Sequence, residues 1–265
     1  MTEETLVLRI EDVGRVCLLT LNRPEALNAF NDDLYDAVRE ALAAASASPD
    51  VAVVVITGEG RAFSAGQDLG ELERPRRHED GARHGFPPFI EALEAFPKPL
   101  VAAVNGIGVG IGLTMLPHCD LVLIADEARL RAPFVSLGVT AEAGSTHLLP
   151  ETIGWQATAH LLYTASWIDS AQAVELGIAW RSVSRERLLE EALEVAGEIA
   201  AMPIASLIGT KKLLLDARLS AVHAAREREN VTFARLARGP ANREAIAAFR
   251  EKRKPDFTRL PPQDS

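Results

Sequence analysis

The chain has 265 residues, 48% of them hydrophobic and 25% charged, which is typical of a globular protein with a sizeable core. The net charge is −9 and no basic patch dominates, so the composition argues against a nucleic-acid partner. The two cysteines, Cys17 and Cys119, do not form a disulfide framework. The N-terminus lacks the features of a signal peptide, and we expect a cytoplasmic protein.

The first half of the chain alternates strand-like and helix-like patterns. Apolar runs at residues 6–10 and 15–21 predict a hairpin, and Asn31 is expected to cap an amphipathic helix. Three near-continuous apolar runs predict buried strands at residues 51–57, 100–104 and 121–125. Because helical patterns lie between these runs, the sequence predicts an α/β fold.

The second half of the chain is mainly helical in pattern. After about residue 142 the strand signals nearly vanish, and Ser170 and Gly177 are expected to bracket a short helix. Four further helices are expected at residues 185–201, 203–218, 219–238 and 240–254. The polar segment 71–85 is expected to be an exposed loop, either a lid or a solvated connection.

One uncharged stretch, residues 99–117, is long enough to imitate a membrane span. It contains Asn105 and four glycines and is closed by prolines at both ends, features that weaken a lipid-facing helix. We therefore interpret it as a buried strand, a glycine turn and a buried helix, and expect no membrane partner.

Two glycine-bearing turns, at residues 56–69 and 104–112, each follow a buried strand. Glycine lets backbone amides approach a ligand, and a helix beginning near Gly112 would point free amides at it. Such an arrangement suits an oxyanion, although glycine turns after strands are often only turns. A dinucleotide motif is excluded because position 111 is isoleucine, and no P-loop lysine is present. The adjacent His118 and Cys119 are interpreted as packing residues rather than a catalytic pair.

Further segments accompany these turns: Leu-Asn-Arg-Pro-Glu-Ala-Leu-Asn at 21–28, Phe-Pro-Lys-Pro at 96–99, Cys-Asp at 119–120 and Glu-Lys-Arg-Lys-Pro-Asp-Phe at 251–257. Together they resemble the crotonase (enoyl-CoA hydratase/isomerase) superfamily over nearly the whole chain. The resemblance implies a crotonase-like ββα spiral with two roughly perpendicular sheets. It also implies a spiral core at residues 1–200, a C-terminal helical trimerisation region at 201–265, and a homotrimer or dimer of trimers.

The resemblance implies an oxyanion hole made by the backbone amides of Gln67 and Gly112. Hydratases of this superfamily also carry two glutamates, and the matching positions here are Thr114 and Phe134. Neither side chain can act as a general acid or base of suitable pKa, so the sequence argues against efficient hydration.

A carboxylate is present instead at Glu142. The segment around it resembles the peroxisomal-type branch of the Δ3,Δ2-enoyl-CoA isomerases, in which a single glutamate moves the proton. Apolar neighbours such as Phe134, Val139 and Leu148 are expected to raise the pKa of Glu142. The alternative is that Glu142 caps a helix expected at residues 143–152.

The resemblance also implies contacts with an acyl-CoA thioester, with no metal and no cofactor beyond the coenzyme A of the substrate. The implied substrate-binding residues are Arg23, Arg61, Ala62, Ala65, Asp68, Leu69, Phe134, Lys252 and Arg253. The last two are expected near the 3′-phosphate bound by a neighbouring subunit, or they form only a basic helix end.

The leading functional hypothesis is isomerisation of a 3-enoyl-CoA to its 2-trans isomer. A second hypothesis is another crotonase reaction, such as hydration or thioester cleavage. A third is a non-catalytic acyl-CoA-binding or scaffold protein, which the retained Glu142 disfavours.

Overall fold

The computed structural model describes residues 6–68, 70–71 and 81–260. In this part of the chain the strands are, in order, β1 (Leu8–Val13), β2 (Val16–Leu21), β3 (Val53–Gly58), β4 (Ala62–Ser64), β5 (Leu100–Val104), β6 (Ile107–Val109), β7 (Leu121–Ala125), β8 (Arg129–Arg131), β9 (Trp167–Asp169) and β10 (Arg181–Val183). They form two sheets, a six-stranded one with the order β1-β2-β3-β5-β7-β10 and a four-stranded one with the order β4-β6-β8-β9.

Both sheets are mainly parallel. In the larger sheet only β1 runs antiparallel, as the outer strand of the hairpin with β2. In the smaller sheet β4, β6 and β8 are parallel and β9 is antiparallel. Parallel strands need crossover connections, and the helices of the chain supply them.

The helices in the described residues are α1 (Asp32–Ala47), α2 (Phe86–Glu94), α3 (Ile111–Thr114), α4 (Ser145–Ile153), α5 (Trp155–Thr164), α6 (Ser170–Leu176), α7 (Arg185–Ala200), α8 (Ile204–Asp216), α9 (Leu219–Leu236) and α10 (Pro240–Arg250). Single 3-10 turns lie at Pro24–Ala26, Leu116–His118, Val135–Leu137 and Phe257–Arg259.

The chain alternates between the two sheets. It passes from β3 to β4, from β5 to β6 and from β7 to β8. In each of these pairs the first strand belongs to the six-stranded sheet and the second to the four-stranded sheet. Every residue of β3 and β5 is buried, and α7 packs against both of these strands. This is the expected α/β architecture with a ββα repeat, and it brings the ends of β4 and β6 side by side.

Most local expectations are confirmed. The hairpin forms around Gly14, and the Asn31 side chain caps α1 by accepting a hydrogen bond from the Leu34 amide at 3.1 Å. The four expected C-terminal helices correspond to α7–α10. The division into a core of residues 1–200 and an oligomerisation region of residues 201–265 stays a prediction.

Some expectations were wrong in detail. The glycine turn at 104–112 contains strand β6, and α3 ends after four residues, just before the 3-10 turn at Leu116–His118. Helix α6 is capped by Asp169 rather than Ser170, because Asp169 and Gln172 form a reciprocal capping box. The expected loop at 71–85 falls mostly outside the described residues.

No single helix among the described residues is both long and apolar enough to cross a bilayer, while α7 and α8 pass that test only as a pair bent by 103°.

Candidate active site

The two glycine turns lie against each other at the ends of neighbouring parallel strands. β4 pairs with β6, so the segments that follow them leave the same edge of the smaller sheet. The turns are in close contact: a Cβ on Gly110 would lie 3.8 Å from the Gly66 Cα atom, and one on Gly112 only 2.6 Å from the Ser64 carbonyl oxygen. Glycine at position 112 is therefore a requirement of space.

The Gln67 amide is free because of how its segment pairs with Phe30. In this isolated parallel bridge the Phe30 amide donates to Gly66 O at 2.7 Å and the Asp68 amide donates to Phe30 O at 2.8 Å. The N–H of Gln67 consequently points away from Phe30, and it has no hydrogen-bond partner among the residues that the structure describes.

The Gly112 amide lies in the first turn of α3. Gly110 is the N-cap, and its carbonyl accepts the amides of Leu113 and Thr114 at 2.9 Å each. The N–H of Gly112 is left without a partner in the described parts of the chain. Two unpaired amides from adjacent turns are what an oxyanion hole requires.

Tyr35 supports the first of these turns and was not singled out from the sequence. Its hydroxyl donates to Gln67 Oε1 at 2.9 Å, and its ring packs in an aromatic cluster with Phe30, Phe86 and Phe89. Burial raises the pKa of Tyr35, and the charge of Glu142 adds to this shift. Glu142 therefore lies within electrostatic reach of the residue that holds the Gln67 turn.

Glu142 lies on the loop before α4 and is partly exposed. Its carboxylate makes no hydrogen bond or ion pair with any residue that the structure describes. Burial, the larger cause, and the negative charge of Glu229 together raise the pKa of Glu142 to about 8. An unpaired carboxylate with a pKa near neutrality is suited to accept and return a proton.

The alternative that Glu142 caps a helix is wrong. Helix α4 begins at Ser145, its N-cap is Gly144, and no side chain caps it locally. The carboxylate of Glu229, from α9, instead accepts hydrogen bonds from the amides of Gly144 and Thr146. The Glu142 side chain is thereby left without a structural role at the helix terminus.

Thr114 and Phe134 occupy the two positions where hydratases of the superfamily carry glutamates, and neither offers a free polar group. Thr114 is fully buried, and its hydroxyl donates to the Gly110 carbonyl at 3.2 Å. Phe134 is buried and lines a cavity of about 270 Å³, together with Ala141 from the Glu142 loop and Trp155 from α5. Its contact with substrate stays a prediction.

Several residues expected to bind coenzyme A are engaged within the chain. Arg23 pairs with Asp68 at 2.9 Å, so two of these side chains contact each other. The Ala62 carbonyl accepts a hydrogen bond from Asn28 at 2.8 Å, and the Ala65 amide donates to Leu27 O at 2.9 Å.

The remaining expected contacts differ in their surroundings. Arg61 is exposed beside the first turn, whereas Leu69 lies outside the described residues. Arg253 donates to both carboxylate oxygens of Glu244, which lowers the pKa of Glu244 to about 2. Lys252 is exposed. The roles of all four toward substrate stay predictions.

His118 packs as expected but also makes a contact that the sequence did not reveal. It is buried and donates from Nε2 to the Ala143 carbonyl at 2.8 Å. Burial lowers the pKa of His118 to about 4, so the ring is neutral and acts as a fixed donor to the loop that carries Glu142.

The raised pKa of Glu142 makes the stability of the fold depend on pH. The folded state holds this proton more tightly than the unfolded state, so the free energy of unfolding falls as pH rises from about 4.5 to about 8. We expect Glu142→Gln to be about 1–3 kcal/mol more stable than the parent at pH 9, because glutamine carries no charge that must be buried. The gain is limited because the carboxyl group is partly exposed. Urea unfolding at pH 5 and pH 9 measures this; a variant less stable than the parent at pH 9 would contradict it.

The two alternating sheets, with two unpaired amides in adjacent glycine turns, are the architecture of the crotonase class of α/β protein. The sequence profile described as "Enoyl-CoA hydratase/isomerase" matches residues 11–260. The chain belongs to the enoyl-CoA hydratase/isomerase family.

Relatives of known name cover nearly the full length of the chain. It is 35% identical to the 2,3-dehydroadipyl-CoA hydratase of Escherichia coli, covering 92% of this chain and 95% of the relative. It is 32% identical to the 1,2-epoxyphenylacetyl-CoA isomerase of the same organism, with the same coverage. A crystal structure of an enoyl-CoA hydratase/isomerase from Pseudoalteromonas atlantica has a TM-score of 0.91 at 34% identity, covering 95% of this chain and all of the other.

Proposed function

We propose that this protein is a Δ3,Δ2-enoyl-CoA isomerase that uses Glu142 as its only acid–base group. The observation that carries the proposal is an unpaired, partly exposed carboxylate with a pKa of about 8, within electrostatic reach of Tyr35, whose hydroxyl bonds to the side chain of Gln67. The resemblance of the Glu142 segment to the peroxisomal-type isomerases supports the same reaction. The coenzyme A of the substrate is the only cofactor that the proposal needs.

The proposed reaction begins when the thioester oxygen of a 3-enoyl-CoA accepts hydrogen bonds from the amides of Gln67 and Gly112. Glu142 removes a proton from C2, and the electrons of the C–H bond move onto the thioester oxygen to give a dienolate. The protonated Glu142 then delivers the same proton to C4. The negative charge leaves the oxygen, the double bond now joins C2 and C3, and no other reactant is consumed.

Hydration is less well supported by the site. Water addition needs one group to activate the water and one to protonate the enolate, whereas Thr114 and Phe134 offer neither. Relatives named as hydratases and as isomerases are similarly distant from this chain, so the distinction depends on these positions.

Two assays with the purified protein test the proposal. With 3-trans-hexenoyl-CoA we expect rapid formation of the conjugated 2-enoyl thioester, followed by its ultraviolet absorbance. With crotonyl-CoA we expect water addition to be at least about a hundredfold slower. Hydration faster than isomerisation would favour the second hypothesis. Tight binding of both thioesters without turnover would favour a non-catalytic acyl-CoA-binding protein.

We also propose that the protein acts as a homotrimer or a dimer of trimers. Large apolar side chains are exposed on the C-terminal helices, namely Leu213 and Leu214 on α8, Val231 on α9 and Phe249 on α10. Large apolar side chains that are exposed in an isolated subunit are often covered by contacts with another subunit. Light scattering coupled to size-exclusion chromatography measures the number of subunits.

A further inference from the structure

We propose that Glu229, on α9, is a positioning residue for the base Glu142, an inference that rests on the proposed function. Glu229 is 3% exposed, and its two carboxylate oxygens accept separate hydrogen bonds. One comes from the Gly144 amide and the other from the Thr146 amide, each at 2.7 Å. These amides lie on either side of Ser145 and directly follow the segment that carries Glu142.

The backbone around Glu142 needs such an anchor. Ala143 and Gly144 both adopt the left-handed region, with φ angles of 63° and 70°, a conformation that residues other than glycine rarely adopt. The amides at the start of α4 have no local side-chain cap. Glu229 takes the place of an N-cap residue, although it comes from a helix distant in sequence.

The opposite side of the same turn is held by other contacts. His118 donates to the Ala143 carbonyl at 2.8 Å. Val222, on the same helix as Glu229, packs so closely on Gly144 that a Cβ there would lie 2.8 Å from its Cγ1 atom. The turn is thus fixed through its amides by Glu229 and through a carbonyl by His118, so the backbone from which the Glu142 side chain projects is held in place.

Glu229 also acts on Glu142 through its charge. Among the described residues, Glu142 interacts electrostatically with Tyr35 on α1 and Glu229 on α9, and the neutral His118 contacts the adjacent Ala143 carbonyl. Arg226, the nearby cation on α9, donates to Glu94 on α2 at 2.9 Å instead. A negative charge behind the base makes it bind the proton more tightly, which strengthens it as a base once it is ionised.

Two substitutions separate the charge from the contacts. Glu229→Gln removes the charge and replaces one carboxylate oxygen by an NH2 group, which cannot accept a hydrogen bond from a backbone amide. Glu229→Asp keeps the charge on a shorter side chain. The matched control is Glu227→Gln, which removes a carboxylate from an exposed position of the same helix. The titration of Glu142 is followed by ¹³C NMR of the glutamate carboxyl carbons, and its signal is identified by its loss in Glu142→Gln.

In Glu229→Gln we expect the titration midpoint of Glu142 to fall below the value of about 8, with kcat at least about tenfold lower. In Glu229→Asp we expect the midpoint to change less, while kcat still falls, because the shorter side chain does not reach both amides. Glu227→Gln is expected to match the parent in both measurements.

A Glu142 midpoint and a kcat that are unchanged in Glu229→Gln would overturn the inference. If Glu229→Gln does not fold, a kcat in Glu229→Asp equal to that of the parent would overturn it as well, because the shorter side chain cannot reach both amides. The NMR titration requires no turnover, so it tests the link between Glu229 and Glu142 independently of the proposed isomerase function. A parent protein without isomerase activity, but with a midpoint that shifts in Glu229→Gln, would refute the proposed function and leave the link between Glu229 and Glu142 in place.

Discussion

Glu142→Gln is expected to lower kcat for isomerisation of 3-trans-hexenoyl-CoA by about 10²–10⁴-fold at pH 8. Glutamine fills nearly the same volume but cannot accept the C2 proton or return it at C4. Since Thr114 and Phe134 supply no substitute, the residual rate should come only from substrate binding and from the two amides. In the parent, kcat/KM is expected to rise with pH through the Glu142 pKa of about 8, because only the ionised carboxylate is a base.

The matched control for this variant is Glu151→Gln, the same substitution at an exposed position on α4. It should retain the activity of the parent. Binding of butyryl-CoA, which has no double bond to shift, should be unchanged in Glu142→Gln when measured by calorimetry, since the role proposed for Glu142 is confined to moving a proton from C2 to C4. Residual isomerisation above about a tenth of the parent rate in Glu142→Gln would remove Glu142 from the mechanism.

The parts of the fold that the sequence predicted are those determined by local patterns. The strands β5 and β7 lie at the expected residues because their apolar runs are continuous and have clear ends. Asn31 identifies the start of α1 because its side chain can satisfy only the first amides of a helix.

The parts that the sequence missed depend on contacts between distant segments. Strand β6 is three residues long and flanked by glycines, and it forms only because β4 and β8 lie on either side of it. The expected N-cap of α6 was wrong because the capping box of Asp169 and Gln172 outweighed the isolated serine.

The candidate site also contains features that the sequence predicted and features that it missed. The free amides of Gln67 and Gly112 were predicted because glycine-rich turns and a family resemblance are visible in the sequence. Tyr35 and Glu229 were not predicted, since a buried tyrosine and a glutamate in a helix carry no local signal of their partners. The pairing of Arg23 with Asp68 was missed for the same reason, although both residues had been expected near the substrate.

Gly112→Ala is expected to lower kcat for the same isomerisation by about 10²–10³-fold, the usual cost of losing one oxyanion-hole donor. A methyl group at this position would lie 2.6 Å from the Ser64 carbonyl oxygen and 3.1 Å from the Ser64 Cβ atom. Either the end of β4 or the start of α3 must then move, and each of them leads into one of the two free amides. Donors to an oxyanion act only within about 2.7–3.1 Å, so a displacement of a few tenths of an ångström separates them from the thioester oxygen.

Gly197→Ala, in the interior of α7, is the matched control, because a Cβ there meets no atom within 4 Å. It should leave kcat unchanged and raise the free energy of unfolding by about 1 kcal/mol through helix propensity. Thermal unfolding followed by circular dichroism shows whether Gly112→Ala is folded at the assay temperature. If Gly112→Ala is folded and isomerises at the parent rate, the Gly112 amide is not an oxyanion donor. If kcat falls while butyryl-CoA still binds, the amide stabilises the dienolate more than the bound substrate, as catalysis requires.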